Sequence, residues 1–163
     1  MNIELKNKIL YLNNYKLRCS IGKRGITANK KEGDEKTPRG IFDLKTIFYR
    51  RDRISKLKSS LKKTIIKKNM GWCDDVNFSK KYNKLIKINK NTKYEKLYRK
   101  DKKYDFLIPI KYNFNNTVLG KGSCIFIHLT KNYLPTAGCI ALKEKDFLIM
   151  LKILKKNIKI KIS

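Results

Sequence analysis

The chain has 163 residues, with 41 Lys or Arg against 13 Asp or Glu, a formal net charge of +28. That length suits a single domain over residues 1–163, and with 41% hydrophobic residues the chain is too apolar to be read as disordered despite its charge. The best apolar run, "FLIMLKIL", is broken by Lys152 and falls far short of the roughly 20 residues a membrane-spanning helix needs.

In chain order, "YKLRCSIG" (15–22) alternates as a strand does, and "KRGITANKKEGDEKTPRG" reads as a long surface loop. "GIFDLKTIFYR" (40–50) returns to strand character, with Phe42, Leu44 and Thr46 on one face. Residues 53–69 leave two readings open: a basic amphipathic helix on Ile54, Leu57, Leu61 and Ile65, or a loop leading to a strand over 64–68. "GWCDD" (71–75) reads as a turn carrying the only tryptophan, and "TKYEKLYRK" (92–100) as a short helix.

The last third is clearer. "YDFLIPIKYN" (104–113) is a strand in which Pro109 hints at an edge or a bulge. "SCIFIHL" (123–129) is apolar on both faces, as a buried central strand is. "KEKDFLIMLKILKKN" (143–157) predicts the firmest helix, with Phe147, Leu148, Leu151 and Leu154 as its apolar face. "IKIKI" closes as a strand of period two. The sum is a mainly β domain with one firm helix.

The charge has two explanations. Clustered cations would mark a polyanion partner. Here the basic residues are spread along the chain, Lys far outnumbers Arg, and Ile and Asn are heavily used, as AT-rich coding produces. No specific nucleic-acid partner is expected. No 7–15-residue apolar core of a secretory leader stands out near the start. The cysteines Cys19, Cys73, Cys124 and Cys139 form no C-x-x-C pair, and with one histidine the chain predicts no metal site. Cys19 and Cys124 read as small buried apolar residues.

That histidine, His128, ends the 123–129 strand, and Cys139 follows eleven positions later behind Thr-Ala-Gly. A strand, a loop and a returning segment can bring the two together. A thiol nucleophile needs a base, because little of it is ionised at neutral pH. Attack on a carbonyl makes an oxyanion that backbone N–H groups hold, and those of Gly138 and Cys139 are the candidates. Gly138 allows a tight turn, which Thr136 can brace through its hydroxyl. Ser123 and Thr136 either orient His128 or hold turns. Trp72, Tyr82 and Tyr112 read first as packing residues, with Trp72 and Tyr112 also candidates for substrate contact.

Three segments, in order, resemble the L,D-transpeptidase catalytic domain of the YkuD type. "GDEKTPRGIF" matches a T-P-x-G-x-F motif at Thr37, Pro38, Gly40 and Phe42. "GSCIFIH" matches the strand ending in the family's catalytic histidine, here His128. "TAGCIALKEKD" matches the [S/T]-x-G-C segment of the nucleophile, here Cys139, with the acidic helix start at Asp146. "GWCDD", Tyr82 with Asn83, and "YDFLIPIKYN" resemble a branch of shorter layout, and the likeness runs from about residue 16 to the closing strand. The chain departs from the pattern at Ala137, where relatives carry histidine, at Ala141, where they carry arginine, and in a shorter loop between base and nucleophile.

The resemblance implies a β-sandwich or partly closed barrel with a packed C-terminal helix. It implies a cysteine acyltransferase of cell wall biogenesis and cell shape, acting on peptidoglycan or muropeptide stem peptides in the periplasm or cell envelope as a monomer. No metal or organic cofactor is implied. Cys139 would attack the L-centre carbonyl of diaminopimelate, releasing D-alanine, and pass the acyl group to an amine in a 3→3 cross-link, with His128 as base and then acid. With water as acceptor the outcome is an L,D-carboxypeptidase. A non-catalytic basic module that grips cell wall or another polyanion is the competing class.

Overall fold

Period-two patterning builds most of this fold. In the computed structural model, which describes residues 3–163, "IKIKI" buries Ile158, Ile160 and Ile162 and turns the lysines between them to solvent. The strands in chain order are β1 (Ile3–Lys6), β2 (Ile9–Leu12), β3 (Tyr15–Ser20), β4 (Ile26–Thr27), β5 (Thr37–Pro38), β6 (Gly40–Leu44), β7 (Thr46–Tyr49) and β8 (Lys62–Ile65). They continue with β9 (Met70–Cys73), β10 (Leu85–Lys87), β11 (Tyr94–Lys96), β12 (Phe106–Pro109), β13 (Phe126–Leu129) and β14 (Ile140–Leu142). The helix α1 (Glu144–Ile153) and β15 (Ile158–Ile162) follow.

Ten strands form one sheet in the order β6-β15-β1-β2-β3-β14-β13-β12-β7-β8. β6 and β7 are consecutive in the chain yet lie near opposite ends of that order, so the sheet curls strongly into a partly closed barrel. A Leu44–Ile110 bridge joins the two regions. The mainly β architecture with one C-terminal helix is the one expected.

The concave face holds the main core. Leu17, Cys19, Phe106, Ile127, Ile140 and Leu142 belong to it, and α1 packs into it through Phe147, Met150 and Leu151. The rings of Phe106 and Phe147 stack at 5.5 Å. The opposite face is covered at one end by a three-stranded sheet, β10-β9-β11. There Trp72 and Leu97 pack on Phe48, Leu107 and Phe126. A cavity lies over the β13–β14 part of that face.

Several expectations are corrected. Residues 92–100 are not a helix: β11 pairs with β9, and the Tyr94 ring lies over Gly71, where an added Cβ would come within 2.7 Å of it. Tertiary pairing overrides local propensity there. "GWC" is likewise no turn but part of β9, the central strand of the small sheet. No helix forms over 53–69. The chain runs irregularly to β8, parallel to β7, with Leu61 and Ile66 as buried anchors.

The 40–50 strand is two strands broken at Lys45, and the 22–39 loop contains the β4–β5 pair. Pro109 sits inside the sheet, at the end of β12 where pairing with β7 has stopped at Leu107. β13 starts three residues later than expected, because Cys124 takes a φ of 53° that interrupts an extended strand. α1 ends at Ile153, and Leu148 is exposed while Met150 takes its place in the core.

Candidate active site

The register of β13 and β14 builds the site. These strands are parallel, with Ile127 beside Ile140 and His128 beside Ala141. Cys139, one residue before β14, therefore lies beside Phe126 and on the same face as His128. The Phe126 N–H donates to Cys139 Sγ at 3.4 Å, and the thiol donates to the Cys124 carbonyl at 3.2 Å. Strand spacing then puts the Cα atoms of Cys139 and His128 about 8 Å apart on one face, within side-chain reach.

His128 Nδ1 lies 2.9 Å from the Leu129 carbonyl oxygen. A carbonyl only accepts, so Nδ1 carries the proton and Nε2 keeps its lone pair. The Tyr104 ring meets the imidazole edge-on at 5.3 Å, and the Tyr104 hydroxyl donates to Glu95, which also pairs with Arg99. Burial holds the His128 imidazole down to about 4, and burial pushes the Cys139 thiol up to about 12. At neutral pH the resting site is therefore a neutral thiol beside a neutral imidazole, not an ion pair.

The turn carrying Cys139 is clamped twice. Within it, the Thr136 hydroxyl donates to the Cys139 carbonyl at 2.6 Å and accepts from the Gly138 N–H at 3.1 Å. From outside, the Thr37 hydroxyl donates to the Gly138 carbonyl and accepts from the Gly22 N–H, both at 2.9 Å. Gly138 has a φ of 141°, and an added Cβ would come within 2.8 Å of the Lys36 carbonyl oxygen.

Cys139, His128 and Ala141 open into one cavity of about 780 Å³, walled by Glu95, Arg99 and Tyr104 on one side and by Leu134 and Pro135 on the other. The other candidates lie elsewhere. Trp72 is buried under the small sheet and donates from Nε1 to Asn83. The Ser123 hydroxyl donates to Glu32, as does that of Tyr82. The Tyr112 hydroxyl donates to the Lys121 carbonyl, and its ring stands edge-on to Phe42. None of these lines the cavity of Cys139 and His128.

Sequence reasoning missed the orienting Leu129 carbonyl and the Tyr104–Glu95–Arg99 wall, and named Asn83 only as part of the resemblance, without its bonds. The Asn83 side chain accepts from Trp72 and from the Cys124 N–H and donates to the carbonyls of Tyr112 and Asn113. Among the described residues, no three His, Cys, Asp or Glu side chains gather as metal ligands do, and no helix is long and apolar enough to cross a membrane.

A buried imidazole with one free lone pair and a thiol on the same sheet face form the equipment of a thiol acyl-transfer site. The family model for YkuD, the L,D-transpeptidase catalytic domain, matches residues 3–162, and the chain belongs to that family. Its members are generally enzymes that act on peptidoglycan in the cell envelope. Neither the comparison with curated proteins nor that with solved structures gives a match.

Proposed function

We propose that this chain is an L,D-transpeptidase that works on peptidoglycan stem peptides through a thioacyl-enzyme on Cys139. The observation that carries the reading is the Nδ1 bond of His128 to the Leu129 carbonyl, which leaves Nε2 as a proton acceptor in the cavity that holds the thiol.

His128 Nε2 takes the thiol proton as Sγ attacks the L-centre carbonyl of diaminopimelate. The tetrahedral oxyanion is held by the Cys139 N–H. The Gly138 N–H joins it only by leaving the Thr136 hydroxyl, which holds it at rest. His128 returns the proton to the departing amine, and D-alanine leaves. An amine of a second stem then attacks the thioester, losing its proton to His128, and the thiolate departs to be reprotonated. The product is a 3→3 cross-link.

The test is incubation with a purified tetrapeptide muropeptide, following D-alanine release and dimer formation. The wild-type chain gives both, and Cys139→Ala gives neither while staying folded. Full activity in that variant would sink the reading. D-alanine without dimers would mark a carboxypeptidase, and binding without turnover a cell-wall binding module.

A further inference from the structure

A second, smaller cavity of about 220 Å³ adjoins the first, and Pro135 lines both. It is lined by Lys8, Arg18 and Lys23, and no carboxylate lines it. Its floor is the end of β3. Ser20 pairs with Ala141, which pairs with His128, so the three side chains form a row on one sheet face. Ala141 puts only a methyl between the other two.

Two features of this cavity point to a ligand. Ser20 is 4% exposed, and its buried hydroxyl has no hydrogen-bond partner; such groups are rare unless a partner arrives from elsewhere. Arg18 makes no ion pair among the described residues. Its guanidinium rests on the Tyr133 ring at 4.5 Å, which leaves its N–H fork open. An unpaired guanidinium and an unpartnered hydroxyl, in a space of this size that two lysines also line, suit one carboxylate.

We infer that this cavity is a subsite for the terminal carboxylate of the residue on the leaving side of the scissile bond. The inference rests on the proposed stem-peptide activity and names where one end of that substrate lies. A stem peptide is long on the acyl side and a single residue on the leaving side. The larger cavity holds Cys139 and His128, and the smaller one meets it at Pro135 and at the Ala141–Ser20 pair. Strand spacing puts Ser20 about 8 Å from Cys139, which is the reach of one amino-acid residue beyond the attacked carbonyl.

The experiment compares the tetrapeptide stem with its C-terminal amide, for turnover by the wild-type chain and for calorimetric binding to Cys139→Ala. The acid is preferred over the amide roughly tenfold or more in kcat/KM, the scale of one charge-assisted contact. Arg18→Gln erases that preference. Ser20→Ala, which removes only the unpartnered hydroxyl and spares the fold, weakens it several-fold. Equal use of acid and amide by the wild type, or a preference that survives Arg18→Gln, overturns the subsite. Acid-selective binding lost in Arg18→Gln without any turnover would keep the subsite and overturn the catalytic reading. No binding and no turnover would overturn both.

Discussion

Thr37 donates its hydroxyl to the Gly138 carbonyl at 2.9 Å across 101 residues of sequence. The same oxygen accepts from the Gly22 N–H. One fully buried threonine thus ties the turn of Cys139 to the end of the strand beside it.

Thr37→Val keeps the shape of that side chain and strands both partners. Each unpaired buried group costs on the order of 1–3 kcal/mol, so with two groups stranded the expected loss is about 2–6 kcal/mol by urea denaturation. Turnover falls as well, because the turn of Cys139 loses its outer clamp. Thr37→Ser retains most of both properties. A valine variant as stable as the wild type would remove Thr37 from this role.

Gly138→Ala introduces a Cβ at a φ of 141°, 2.8 Å from the Lys36 carbonyl oxygen. The neighbour is backbone and cannot swing aside. The variant loses stability by about 1–3 kcal/mol, and turnover falls at least tenfold as the thiol leaves its register with Phe126. A melting curve and a turnover assay on the same preparation check both parts.

The pH dependence follows from burial of His128. Its folded value of about 4 lies below its ordinary 6.5. The neutral imidazole therefore contributes its full stability above pH 6.5, and that contribution is lost as pH falls through about 4. Its size is on the order of 3 kcal/mol. The Cys139 thiol acts on the other side, with its contribution intact below pH 9.0 and lost as pH rises toward about 12. His128→Phe flattens the acid limb of a pH series of unfolding free energies and leaves the alkaline limb. The acid limb of turnover in the wild type falls only as pH drops through about 4, where the imidazole of the folded chain takes up a proton.

A thiol held protonated reacts slowly with simple alkylating agents at pH 7, and faster as pH rises. A β-lactam of the carbapenem type resembles the donor stems of this family and brings its own carbonyl to the thiol, while the imidazole carries the thiol proton to the ring nitrogen that leaves. It adds covalently once, at Cys139, and not at all in Cys139→Ala. Intact-mass measurement with peptide mapping reads this out. No adduct, or one on Cys73, would contradict the site.

The legible parts of this fold were those whose period survives into the structure. β15 and the core face of α1 at Phe147 and Leu151 could be read because neighbouring strands merely accept a pattern already written in the chain. β9 and β11 could not, because Gly71 and Tyr94 make sense only against each other. At the site, Cys139 and His128 stand out as side chains in motifs. The groups that tune them do not: the Leu129 carbonyl and the Phe126 N–H are backbone and leave no residue-type signal. The small cavity was equally hidden, since β3 meets residues 133–135 only through the register of β14.

Lys45 alone separates β6 from β7, which lie near opposite ends of the ten-strand order, and Leu44 bridges to Ile110. The β6 margin of the sheet therefore cannot peel on its own. Fraying β6 from β15 drags on β7, and with it on β12 and on β13, the strand of His128. Hydrogen exchange of β6 and of β13 amides then reports a single opening event, and the sheet face of His128 and Cys139 is as durable as the β6–β15 seam.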